Sequence, residues 1–142
     1  MNTPAPIHIP LGVRLNNPGC IRWNGTQWRH GSPDTSGFVR FDAPEWGFRA
    51  IALILHAYEQ RGIHTIEAAI NEWSPPSEND TAAYIEAVCN ECGIGPKTLM
   101  FTLVTPAVLT AICRHECGVQ PYGAETINLG ISLAEATWKS AQ

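Results

Sequence analysis

No run among the 142 residues is long and apolar enough to cross a bilayer. The longest uninterrupted aliphatic stretch is Ala50–Leu55, far short of the ~20 residues a spanning helix needs. A membrane is therefore not an expected partner. Cationic clusters are also missing. Nine Lys and Arg stand against 13 Asp and Glu, for a net charge of -4. With no basic stripe, nucleic acid is not an expected partner either. Residues 1–10 carry three prolines and no cationic segment followed by an apolar one, so no secretory signal peptide is expected. A Gly-rich phosphate loop, a nucleophile elbow, an internal repeat and a linker are absent too. No cofactor and no metal centre is implied.

What is present suffices for a core. Hydrophobic residues make up 44% of the chain, enough for one domain that folds rather than staying disordered. Residues 1–12 read as an extended arm, and 13–142 as a single domain. The five cysteines fall as Cys20, Cys89 and Cys92, and Cys113 and Cys117. The two pairs sit at i,i+3 and i,i+4 in helical-looking segments. Three states fit them: a zinc pattern, disulfides between packed helices, or free buried thiols. An odd number cannot pair fully within one chain.

The segment 13–44 is rich in turn formers. Ile21–Trp23 and Gly37–Phe41 are its best strands, giving a small irregular hairpin. From Pro44 the pattern becomes helical. A helix is expected to about Arg61, with Trp46, Ala50, Leu53, Ile54, Ala57 and Tyr58 as its apolar face. Thr65 opens a second helix that ends at Trp73. Asn79-Asp80-Thr81 caps a third, to about Cys92. Residues 98–103 suggest a short helix. Thr105 caps another over Pro106–Cys117, ended by Gly118, and one or two helices close the chain. The fold class is mainly α (α+β).

Three carboxylates stand out. Glu116 lies at the C-terminal end of an apolar helix, where the helix dipole opposes negative charge and favours the protonated form a general acid needs. The plain alternative is a surface glutamate paired with Arg114 or His115. Glu45, in the first turn of the long helix, and Glu78, beside a cap cluster, are candidates for a second carboxylate. Trp23 and Trp28 lie in loops and suit flat sugar faces. Trp46 and Trp73 sit at helical spacing and read as core. A thiol nucleophile would need Cys113 or Cys20 near His115.

Four stretches carry a resemblance. They are Arg14-x-Asn16-Asn17-Pro18-Gly19-x-Ile21-Arg22-Trp23, Phe38-Val39-Arg40-Phe41-Asp42-x-Pro44-Glu45-Trp46-Gly47-Phe48-Arg49-Ala50, Trp73-Ser74-Pro75-Pro76-x-Glu78-Asn79-Asp80-Thr81-x-x-Tyr84 and Arg114-His115-Glu116-x-Gly118-x-Gln120-Pro121-Tyr122. Together they resemble a family of phage and prophage proteins known as virion structural protein P5-like, over about residues 12–135. The same pieces are similar, in a different order, to those of lysozyme-like glucosaminidases and muramidases. That likeness implies a lysozyme-like helical domain of permuted order, in which Glu116 is the acid. Asn17, Arg22, Trp23, Tyr84 and Tyr122 would hold the glycan. The implied activity is a phage-derived peptidoglycan hydrolase cleaving the β-1,4 strand, of lysozyme or lytic transglycosylase type. The implied places are the virion, or the bacterial cytoplasm with delivery to the periplasm. Cys20 and Cys117 stand where the resemblance implies asparagine. This favours the alternative, a non-enzymatic virion or tail protein that binds glycan or capsid partners.

Overall fold

Threonine, aspartate and proline set the helix starts. In a computed structural model, which describes residues 8–77 and 79–141, α1 spans Leu11–Arg14, β1 Gly31–Pro33, β2 Val39–Phe41, α2 Pro44–Gln60, α3 Ile66–Trp73, α4 Thr81–Cys92, α5 Pro106–Cys117 and α6 Ala124–Ser140. The side chains of Thr65, Asp80 and Thr105 accept the amides of Ala68, Ala83 and Val108. Each satisfies a donor that a helix start would leave unpaired. Gly93 and Gly118 end α4 and α5 in the left-handed conformation. The mainly α fold with a small hairpin is as expected.

Four details differ. Leu11 and Gly12, expected at the end of an extended arm, instead open α1, and the arm's first seven residues lie outside the described ones. The hairpin partner of β2 is β1, antiparallel with Ser32 opposite Arg40. Ile21–Trp23 meets β2's approach only through an Arg22–Phe38 bridge, because the chain turns away at Asn24. Residues 98–103 form no helix. The Glu59 carboxylate accepts the Thr102 hydroxyl at 2.7 Å and the Leu103 amide, and the Met100 amide donates to His64 O at 2.8 Å. These bonds draw the segment out along α2 and seat Leu103 in the core.

The fourth difference is the buried face of α2. Phe48, Ile51, Ala52 and Leu55 are fully buried, while Ala57 is exposed and Ile54 and Tyr58 are half-buried. Residues 48–55 are apolar nearly all round except for Arg49, so periodicity cannot choose an inward side. Partners choose it, chiefly α6, with α5 beside it. Gly130 permits the α2–α6 approach: a Cβ there would lie 2.5 Å from Phe48 Cβ and 3.0 Å from the Glu45 carbonyl. The half-buried side left to Ile54 and Tyr58 faces the cleft described next.

Candidate active site

Two helix ends meet at this cleft. Glu116 occupies the last turn of α5, and Trp73 is the last residue of α3. The Thr81 hydroxyl donates to the Ser74 carbonyl at 2.5 Å and ties the start of α4 to the end of α3. Trp73 is thereby held so that its indole Nε1 donates to Glu116 Oε2 at 3.3 Å. The neighbours that could have claimed Glu116 are turned elsewhere. Arg114 pairs with Glu91 at 3.2 Å. His115 stacks on Tyr84, with ring centroids 3.7 Å apart. The surface ion pair allowed by the sequence is therefore not made.

Glu116 and Trp73 border an open cleft of about 540 Å³, within the size range of small-ligand sites. One wall is the turn Gly19–Arg22 with Phe38, another is Ile54 and Tyr58 of α2, and a third is Ser74, Pro75 and Asn79. The Arg22 guanidinium lies 4.9 Å above the Phe38 ring, a cation–π contact that leaves its donors free for a ligand. Beyond Glu116 lies a second hollow of about 290 Å³, bordered by Asp80, Tyr84 and His115. Glu116 lines both spaces. The Tyr84 ring is buried, and among the described residues its hydroxyl has no hydrogen-bond partner. Burial pushes this phenol far above its usual range, and the nearby charge of Glu116 adds to the effect.

No protein-family profile matches the chain. Protein P5 of Pseudoalteromonas phage PM2 is 34% identical over 122 residues, which cover 85% of this chain and 74% of that protein. The chain belongs to the P5 family of phage proteins. That name carries no activity with it.

Of the residues singled out in this P5-family sequence, Arg22 and Glu116 line the cleft, and Tyr84 lines the hollow behind it. The others lie elsewhere. Asn17 is fully buried: its Nδ2 donates to the Ile21 and Val39 carbonyls, both at 2.9 Å, and its Oδ1 accepts the Ile21 amide at 2.9 Å. It knots the wall together and has nothing left for a sugar. Trp23 packs on the small cluster of Val39, Phe41 and Ala50. Tyr122 meets Phe48 edge-on at 5.3 Å. Neither lines the cleft. Glu45 sits on α2 where α6 packs, also away from the cleft. Glu78 lies outside the described residues.

Trp73, expected in the core from its helical spacing, does pack on the core with part of its surface and also holds the carboxylate. Its signal was positional: a tryptophan at a helix end, directly before Ser-Pro-Pro, has no following turn to bury it. The five cysteines are free thiols, and among the described residues no three metal-binding side chains gather as a metal site would require. Hydrogen bonding with Cys117 and then burial push the Cys20 thiol well above its ordinary range. A nucleophilic cysteine needs the reverse. Cys113 is fully buried, with its thiol directed at the Val119 carbonyl at 3.7 Å.

Proposed function

We propose that this chain is a phage-derived peptidoglycan hydrolase that cleaves the β-1,4 glycan strand with Glu116 as general acid. In this reading the domain is lysozyme-like, with its elements in permuted order. The observation that carries the proposal is the placement of Glu116: one carboxylate, held by Trp73, lining a cleft that Arg22 also lines. A glycan strand lying along the cleft brings a bridging oxygen to Glu116. The acid protonates that oxygen as the bond to the anomeric carbon breaks, and positive charge spreads over the sugar ring. The carbocation is then met by water or by the substrate's own hydroxyl, which gives a hydrolase or a lytic transglycosylase respectively. Glu45 is too far around α2 to assist. Asp80 borders the hollow that Glu116 shares, although its Oδ1 also caps α4 at 3.2 Å. The expected partner is the bacterial glycan strand, met from the virion or after delivery from the cytoplasm to the periplasm.

The test is turbidity loss of purified sacculi with the wild type and with Glu116→Gln. The proposal expects the variant to fall to background while its unfolding midpoint stays close to that of the wild type. Equal rates would remove Glu116 from the chemistry. Product masses separate the outcomes, since a transglycosylase leaves anhydro ends and a hydrolase adds water.

A second reading, a non-enzymatic virion or tail protein binding glycan or capsid partners, has its own observation. Leu99 is 81% exposed and Phe101 100% exposed, on a segment pinned by Glu59 and by His64. Two large apolar side chains exposed on a segment whose backbone is bonded in place form a surface suited to contact with another protein.

A further inference from the structure

Three of the five thiols converge beneath the cleft. Cys20 closes the wall turn, and Cys113 and Cys117 face inward from α5. Cys20 and Cys117 come from segments far apart in sequence, yet their sulfurs lie against the same point of α1. A Cβ on Gly12 would lie 2.8 Å from the Cys20 sulfur and 2.7 Å from the Cys117 sulfur. Only a glycine on α1 leaves room for both sulfurs at that point. The Cys20 thiol also donates to the carbonyl of Glu116 at 3.6 Å, and the Cys117 thiol to the carbonyl of Pro18 at 3.5 Å. Each thiol thus already reaches across to the backbone of the other segment.

From this we infer that Cys20 and Cys117 form a specific disulfide when the protein meets an oxidising environment, fastening the cleft wall to the last turn of α5. The remaining cysteines are excluded by position. Cys113 and Cys117 share one helix a turn apart, with their Cβ atoms held apart by it, and Cys113 is fully buried. Cys89 and Cys92 belong to α4.

The reaction is thiol–disulfide exchange with a small-molecule or protein disulfide. Cys20 is half-buried and borders the cleft, whereas Cys117 is buried, so Cys20 meets the reagent first. Its thiolate attacks one sulfur of the external disulfide, and the other leaves as a thiolate. Cys117, as thiolate, then attacks the Cys20 sulfur and expels the second external thiolate. The two external thiolates take up the two protons the cysteines release. The protein loses two hydrogens, and the reagent is reduced to two thiols. Both groups are held protonated: Cys20 is pushed well up by Cys117 first and then by burial, and Cys117 is pushed up to about 12 by Cys113 first and also by burial. Closure is therefore slow near neutrality and speeds up with rising pH.

The cross-link would act on the wall that carries Arg22 and on the turn that carries Glu116. It is independent of whether Glu116 is an acid catalyst.

The test uses the full-length reduced protein under native conditions in a buffer dominated by oxidised glutathione. Samples are acid-quenched, alkylated, digested and mapped by mass spectrometry. The expected product is a peptide pair joining Cys20 to Cys117, with the intact mass lower by two hydrogens. Dithiothreitol reverses it, and the thermal midpoint is higher in the oxidised form. Cys89→Ala retains the link and Cys20→Ser abolishes it. At equilibrium, free alkylation of both Cys20 and Cys117, a lasting glutathione adduct on Cys20, or a Cys113–Cys117 link would each overturn the inference. The wild-type map decides without relying on any variant's folding.

Discussion

The indole nitrogen of Trp73 donates to Oε2 of Glu116, 43 residues later in the chain, across 3.3 Å, and so joins the C-terminal ends of α3 and α5. The carboxyl group is oriented by a neutral donor, and among the described residues no cationic side chain forms an ion pair with it. In the proposed reaction this makes Trp73 a positioning residue.

Trp73→Phe keeps an aromatic ring and removes only the donor. As the proton leaves Glu116, the indole N–H comes to bond a charged carboxylate, a bond that contributes about 1.5–3 kcal/mol, so sacculus hydrolysis is expected to slow by roughly tenfold or more, mainly in kcat. Steady-state kinetics on a soluble glycan oligomer would show it. A loss confined to KM would assign Trp73 to substrate binding instead.

Asn17→Ala breaks three hydrogen bonds and strands the Val39 carbonyl and the Ile21 amide, while the Ile21 carbonyl keeps the Val39 amide at 3.0 Å. The expected cost is roughly 2–4 kcal/mol of stability, read as a lower urea midpoint at unchanged slope. If Asn17 were a sugar ligand instead, stability would hardly move and glycan affinity would fall.

Alkaline pH should weaken the fold. Burial pushes the phenols of Tyr58 and Tyr122 up to about 12 from a usual value of 10.0. In the unfolded chain they lose their protons first, so their contribution to stability is full below pH 10 and is lost as pH rises towards 12. Urea midpoints measured across that interval should fall, and the fall should be shallower in Tyr58→Phe with Tyr122→Phe. An identical slope in the double variant would show that other groups control it.

Replacing both Leu99 and Phe101 by serine should change stability by no more than about 0.5 kcal/mol, because neither side chain is buried. Sacculus hydrolysis should also be unchanged. If the segment docks on another virion protein, the double variant should no longer co-sediment with phage particles. Retained co-sedimentation would remove this surface as the contact.

Much of the fold was legible because its signals are local. A threonine or aspartate accepting an amide three residues on, a proline in the first turn and a glycine after the last turn act within a few residues. They fixed the bounds of α2 through α5 to within a residue or so. The short helix expected at 98–103 failed for the opposite reason: Glu59, some forty residues earlier, supplies the acceptors that draw that segment out. The site divides in the same way. Glu116 and Arg22 were visible by residue type and by their place at a helix end and in a turn. Asn17 has the same polar character as a ligand-binding amide, and only the carbonyls that surround it make it structural.

By itself, the sequence determined where α2 to α5 begin and end, and which acid stands at a helix terminus. These follow from backbone hydrogen bonding and capping, which need no distant partner. Tertiary structure decided which side of α2 is covered, that Trp73 reaches Glu116, that Asn17 turns inward and that Cys20 meets Cys117. Each of these depends on how the apolar surfaces of α2, α5 and α6 close on one another, and burial of this kind has no sequence range.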